Sequence, residues 1–333
     1  MRASSRRLRL VALVVALGAP LWLAPIDTAS AAACKMETLQ TLPVKVVRGA
    51  PLVEGAIDGH ALVAMLDTGS FETTLMSSFT DQAGLKVRRI EHASVIGIGG
   101  RSDVYAAHVA TLEFGPFTAK DVDLDVVATS RTGSLGAVIG VDVLFAHDLE
   151  IALKDGEVRV FRPVDCGDAF LAYWDKEASM VPLRRVSPED PRQIITVRIN
   201  GVDLRALIDS GAFRSLIDVR AARRLDLPAA DGAPADRQKS GGVGSGVLEF
   251  QVVPVSEVAI GREVIHDTRI AVGDIFGNAL ASLALSGMER TRMRSYDMIL
   301  GQDFLLAHRV LFSMQQERLY FSYLGGRVFV VDR

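Results

Sequence analysis

The chain has 333 residues, with 37 Lys+Arg against 40 Asp+Glu, 49% hydrophobic residues and 2 Cys. At roughly 150 residues per domain, this length allows two domains that each bury a core. A formal charge of −3 excludes a polybasic nucleic-acid binder and an acidic disordered chain, and two cysteines exclude a disulfide-dense scaffold, a Cys-rich zinc module and a cysteine-ligated iron–sulfur cluster.

Residues 1–33 read as a signal peptide for export. Arg2, Arg6, Arg7 and Arg9 make a basic start, Leu10 to Leu23 is almost purely apolar, and alanines at 29 and 31–33 offer cleavage sites. The apolar stretch contains Gly18 and Pro20 and falls short of the roughly 20 residues of a spanning helix. The expected location is therefore periplasmic or secreted. Membrane attachment enters only through an uncleaved signal or a lipidated Cys34. Loss of four Arg and Asp27 with the signal leaves a formal charge of −6. In an oxidising compartment Cys34 and Cys166 form an even pair, expected as a disulfide bond.

Two copies of one pattern follow. The first runs Ala56-Ile57-Asp58-Gly59-His60, then Leu62 to Leu66, then Asp67-Thr68-Gly69-Ser70. The second runs Arg198-Ile199-Asn200-Gly201-Val202, then Leu204 to Ile208, then Asp209-Ser210-Gly211-Ala212. Asp-Gly and Asn-Gly are favoured in two-residue hairpin turns, where both central residues take positive φ. Turn and acid share one offset of 142 positions, so they move as a unit. Downstream, Thr73 to Ala83 and Ser215 to Arg224 each predict a short helix. Gly97-Ile98-Gly99-Gly100 matches Gly242-Val243-Gly244 as a glycine-rich tip between strand-like runs. Val138-Ile139-Gly140 matches Ile299-Leu300-Gly301, and His147 aligns with His308.

Short β-rich runs with Gly, Asp and Asn turns predict an all-β chain of two pseudo-symmetric β-barrel lobes with short helices. The expected boundaries are a first lobe at 34–161, a connector with four prolines at 162–193 and a second lobe at 194–333. The span from acid to glycine is 73 positions in the first copy and 92 in the second. The excess of 19 falls mostly in 273–295 and reads as a surface excursion with a short amphipathic helix; a cleft-side loop is the competing reading.

The paired motifs Leu66-Asp67-Thr68-Gly69-Ser70 and Ile208-Asp209-Ser210-Gly211-Ala212, with the apolar-apolar-Gly motifs at Gly140 and Gly301, resemble the aspartic proteases of the pepsin and retropepsin type. The resemblance covers most of residues 44–160 and 194–325. It implies retropepsin-like lobes with an active site between them, each lobe giving one catalytic aspartate, Asp67 and Asp209. A water activated between the two would hydrolyse peptide bonds of extended polypeptides. Thr68 and Ser210 would clamp the two loops together, Gly69 and Gly211 would let backbone pass close to the acids, and Gly140 and Gly301 would sit beneath them. Gly97, Ile98, Gly99 and Gly100 would act as a flap over substrate, with Gly242, Val243 and Gly244 as its counterpart, although neither tip carries the tyrosine common in pepsin-type flaps.

The residues after the two glycines differ. A hydroxyl at Ser70 predicts a hydrogen bond favouring ionised Asp67, whereas Ala212 offers Asp209 none. The expectation is that Asp67 is the more acidic partner, with an optimum less acidic than pepsin's.

Other chemistries find little support. There is no His-Glu-x-x-His, the six histidines show no ligand spacing, and no metal or other cofactor is expected. No Gly-x-Ser-x-Gly occurs, and the glycines from 241 lack the Lys of a phosphate-binding loop. The expected partner is a polypeptide substrate, not nucleic acid, bound by a monomer with two lobes. The alternative reading is a non-catalytic polypeptide-binding module on the same fold.

Overall fold

A computed structural model describes residues 34–47, 49–115, 117–128, 135–228, 238–241, 246–281 and 294–329. The expected signal at 1–33 and the tip residues Gly242, Val243 and Gly244 lie outside them. Each half of the rest opens on a hairpin. Ala50–Ile57 pairs with His60–Leu66, and Gln193–Ile199 pairs with Val202–Ile208. At the turns Asp58 and Gly59 take φ of 48° and 78°, and Asn200 and Gly201 take 47° and 81°. These left-handed values are what the two-residue turn demands and what Asp, Asn and Gly tolerate. The Asp58 and Asn200 side chains then accept from the backbone N–H of Thr111 and Glu257.

In the first half Leu135–Ile139 lies parallel to His60–Leu66, and Thr74–Met76 slots in beside it. Phe117–Val127 and Gly100–Phe114 continue the sheet, which closes where Ile57 pairs with Leu112. The second half repeats this order. Val202–Ile208, Met298–Leu300, Leu216–Asp218, Glu263–Gly273 and Val247–Ile260 follow one another, and Ile199 closes on Val258. Each lobe is thus a six-stranded barrel built with the same wiring. Closure removes the open edges that a flat sheet would expose.

The helices start later than the sequence predicts. Thr74–Met76 and Leu216–Asp218 are strands, buried at every position between neighbours on both sides. Backbone pairing with two strands outweighs local helix preference there. Only then come the helices Ser77–Ala83 and Val219–Arg224. The first ends on Gly84 in the left-handed conformation, and the second starts at Asp218, whose carboxylate accepts from the N–H of Arg220.

A further six-stranded sheet draws on both halves. Lys35–Pro43, Glu157–Val164 and Asp148–Ala152 come from the first, His308–Ser313 and Arg318–Tyr323 from the second. Leu149 pairs with Phe312 and Ile151 with Val310 at the joint. Beside the joint, fully buried Glu150 pairs with Arg159 from the first half and Arg309 from the second. The segment expected as a connector supplies Ser179–Pro182 to the edge of this sheet. Lys35–Pro43 forms the other edge, and a disulfide between Cys34, just before it, and Cys166, just past Glu157–Val164, ties the ends of these paired strands.

His147 and His308 do not play matching parts. His147 is exposed, whereas His308 is buried, stacked on Phe304 and hydrogen-bonded to Glu263.

Candidate active site

The strands His60–Leu66 and Val202–Ile208 end at Asp67 and Asp209, and their loops meet back to back. The N–H of Thr68 donates to Ser210 Oγ at 3.0 Å, and the N–H of Ser210 donates to Thr68 Oγ1 at 3.0 Å. Each hydroxyl then donates onward across the junction, Thr68 to the carbonyl of Ile208 at 2.9 Å and Ser210 to that of Leu66 at 2.8 Å. Both residues are fully buried. Four hydrogen bonds thus lock the two loops, and each polar group finds its partner in the other lobe.

This clamp puts the acids face to face. A Cβ on Gly69 would overlap the carboxyl group of Asp209, and one on Gly211 would overlap that of Asp67. Each glycine therefore leaves room for the opposite carboxylate. Within its own loop, Asp67 Oδ1 accepts from the N–H of Gly69 at 2.9 Å. Asp209 Oδ1 accepts from both Gly211 and Ala212, each at 2.9 Å.

Support from below is also paired. The N–H of Asp67 donates to Ile139 and that of Asp209 to Leu300. Gly140 donates to Thr73 Oγ1, which donates to Asp142; Gly301 donates to Ser215 Oγ, which donates to Asp303. A Cβ on Gly140 would come within 2.5 Å of the backbone of Glu72, and one on Gly301 within 2.6 Å of that of Arg214. Only glycine lets these layers approach so closely.

The Ser70 expectation is overturned. Its hydroxyl donates to the carbonyl of Glu72 at 2.9 Å, so it is spent within the loop. Burial pushes both carboxyls up, and the charge of Asp209 pushes Asp67 further, well above the usual range. For Asp209 the rise is opposed by hydrogen bonds from Asp67, Ala212 and Gly211 and by the charge of Arg192. The two carboxyls therefore titrate as a pair, above the usual range because they are buried together.

Arg192, missed in the sequence, comes from the segment before the second lobe. Its Nη1 donates to the carbonyl of Gly69 at 3.2 Å, while Nε and Nη2 grip the carboxylate of Asp190. Tyr296 lies against it, and burial pushes its phenol up to about 12. Two aromatic residues were also passed over. Phe71 and Phe213, each four positions past its aspartate, are 42% and 55% exposed. A cavity of about 610 Å³ opens beside the first loop between Phe71, Glu72, Asp125, Arg185, Pro188 and Pro191.

The first glycine-rich tip meets a residue just past the second. The N–H of Gly246 donates to the carbonyl of Gly99 at 2.7 Å. Asn278 Nδ2 donates to the carbonyls of Ile98 at 2.9 Å and Val247 at 3.2 Å. Asn278 stands on the short helix Gly277–Ala281 at the start of the extra 19 positions. Ile275, Phe276 and Leu280 around it are buried in a cluster that also packs Ile98. The described start of that segment thus packs against the Gly97–Gly100 tip instead of standing out as a surface excursion.

No curated protein sequence matches the chain. Among solved structures, it is similar to the crystal structure of aspartic proteinase from Irpex lacteus, at 14% identity and a TM-score of 0.47, covering 85% of this chain and 97% of that one. The aspartyl protease family model matches residues 53–143 and 195–304, one segment in each lobe. With the model spanning more than half of the sequence and both of its segments ending just past an apolar-apolar-Gly motif, the chain belongs to the aspartyl protease family.

Proposed function

We propose that this chain is an aspartic endopeptidase that hydrolyses peptide bonds of extended polypeptides with a water held between Asp67 and Asp209. The observation that carries the reading is the packing of each carboxyl into the space left by the other lobe's glycine. Two carboxyls so close share one proton near neutral or mildly acidic pH. Ionised Asp209 takes a proton from the water as its oxygen adds to the carbonyl carbon, while Asp67 gives its proton to the carbonyl oxygen. The resulting gem-diol collapses when Asp209 passes a proton to the amide nitrogen and Asp67 takes one from a hydroxyl. The C–N bond breaks, and the dyad returns to its starting state.

An extended peptide would lie between the dyad and the flap tips, adding backbone hydrogen bonds as a strand does. Phe71 and Phe213 would meet apolar side chains on either side of the cut. Tip opening would admit the chain, and closure would exclude water. The reading includes an exported monomer, periplasmic or secreted, with lobes at 34–161 and 194–333 joined by 162–193. The disulfide and its edge strand fit an oxidising compartment.

The test is incubation with a mixed peptide library, with products read by mass spectrometry. Cleavage at defined sites is expected, and it should be lost in Asp67→Asn and in Asp209→Asn. An intact protein that cuts nothing points to the non-catalytic binding module instead.

A further inference from the structure

The two loops that carry the dyad take opposite charges at one matched pair of positions. Five residues past its aspartate the first loop has Glu72 and the second has Arg214, related by the same offset of 142. The structure keeps the two in register. A Cβ on Gly140 would come within 2.5 Å of the Glu72 backbone, and one on Gly301 within 2.6 Å of that of Arg214, so each residue lies over the glycine of its own lobe. The reciprocal clamp between Thr68 and Ser210 relates the loops as a two-fold axis would. Glu72 and Arg214 therefore stand on opposite sides of the dyad, each beside an exposed phenylalanine, Phe71 and Phe213.

Neither charge is taken up by an ion pair among the described residues. Glu72 is exposed on the wall of the cavity of about 610 Å³, whose other charged groups are Asp123, Asp125, Asp142, Glu189 and Arg185. Asp123 is paired with Arg88, Thr73 donates to Asp142 and Ser187 donates to Glu189. Arg185 comes within 4 Å of none of these carboxylates. Burial and the charges of Asp125 and Asp142 hold Glu72 above the usual carboxylate range. The cavity therefore joins free volume to an excess of negative charge. Arg214 is half-buried, with its guanidinium 4.5 Å from the centre of the Phe250 ring and 5.2 Å from that of Phe213. Its Nη1 donates at 3.2 Å to Gln238 Oε1, a neutral partner, and no described carboxylate lies within 4 Å of it. The opposing charge that it feels is Asp303, which already accepts from Ser215 and from the N–H of Phe304. Stacking on two rings holds the planar group still without consuming its charge.

We propose that Glu72 and Arg214 are specificity-determining residues that give the cleft a direction: it takes an extended peptide with a basic side chain on the first-lobe side of the cut and an acidic one on the second-lobe side. A cleft whose two sides present the same groups accepts a chain in either direction. Opposite charges at a matched position remove that degeneracy. One direction places each substrate charge beside its opposite, and the reversed one sets like against like, so attraction and repulsion select together. The first-lobe cavity has room for a Lys or Arg side chain, and the planar fork of Arg214 suits a carboxylate. The role deepens the endopeptidase reading and rests on it for the position of the cut.

The experiment uses the full chain and two peptides of one composition, in which Lys and Glu flank a central Phe-Phe pair in the two possible orders. The ratio of kcat/KM values gives the preference in cleavage. Fluorescence anisotropy of labelled copies gives the preference in binding, which needs no cleavage. The wild type should favour one order by roughly 5- to 30-fold, as expected when two partly exposed charge contacts turn from attraction to repulsion. Glu72→Gln and Arg214→Gln should each lower that preference by roughly threefold. The double variant Glu72→Arg, Arg214→Glu should lose or reverse it, which a merely structural role for either residue would not produce. A wild type that handles both orders equally, or a folded double variant that keeps the wild-type preference, overturns the proposal. If the double variant does not fold, the single variants decide, and an unchanged preference in either overturns it. If the wild type cuts neither peptide yet binds one order more tightly, the direction of the cleft stands while the endopeptidase reading fails.

Discussion

The two lobes share turn geometry, strand order and barrel closure, and differ beside the dyad. Where the first lobe has Ala50, Leu135 and Val141, the second has Arg192, Tyr296 and Gln302. The shared features are the ones each barrel needs in order to close and present its acid. The differing ones are polar groups gathered on one side of the junction, and Gln302 Nε2 donates to the carbonyl of Ser210 at 2.8 Å. Duplication explains two acids facing each other. Duplication alone would leave the pair in matching surroundings, whereas the unmatched polar residues stand on one side of it only.

Breaking the shared part should have the largest effect. Asp67→Asn and Asp209→Asn should each lower kcat by about 10³-fold or more, since each removes one half of a proton relay. Steady-state kinetics on a library-derived peptide checks this. A variant that keeps a tenth of the activity would show that one lobe suffices.

The clamp comes next. Thr68→Val and Ser210→Ala each remove a buried hydroxyl that donates to one backbone group and accepts from another. Each strands two buried partners, at about 2–4 kcal/mol in all. Urea unfolding should give nearly equal losses for the two, and a double variant should lose less than their sum. Clearly unequal losses would mean that the clamp, for all its matching distances, is energetically one-sided.

A device present in one lobe only sharpens the comparison differently. Asn278 has no counterpart in the first half, yet its amide holds carbonyls of both tips. Asn278→Ala removes two neutral hydrogen bonds of about 1 kcal/mol each. Amide exchange at Gly246 should quicken by roughly 5- to 30-fold, while exchange in the barrels stays unchanged. Unchanged exchange at Gly246 would show that the tips hold each other without it.

How much of this was open to reading follows from distance along the chain. Asp58-Gly59 and Asn200-Gly201 declared their turns, because the conformation is decided by the two residues themselves. The repeat placed Asp67 opposite Asp209 for the same reason, since motif and hairpin moved together. Thr74–Met76 and Leu216–Asp218 were misread as helix because their partners, Leu135–Ile139 and Met298–Leu300, lie roughly 60 to 85 residues away. Ser70 was misjudged because its oxygen had a nearer acceptor, the carbonyl of Glu72. Arg192 sat in a stretch of Pro, Glu and Asp that reads as a solvated connector. The one available signal was its pairing with Ala50 at the repeat offset, where a charge faces a methyl group.

The smallest effect concerns stability against pH, and its sign is definite. Asp67 and Asp209 both titrate above their ordinary range in the folded chain, chiefly through burial. Between the unfolded pKa, near 4, and the folded values, the native state holds more protons than the unfolded one. Stability is therefore greatest below that window and falls as pH rises through it, by at most about 1.4 kcal/mol per pH unit for each proton retained. Buried Asp148, Asp218 and Asp303 are raised as well and act in the same direction, so the dyad's share must be read from variants. Asp67→Asn and Asp209→Asn each remove one raised carboxyl and the like charge that raises its neighbour. Chemical denaturation from pH 4 to 7 should therefore show a flatter profile for either variant than for the wild type. An unchanged slope in both would mean that the dyad holds no extra proton in the folded chain.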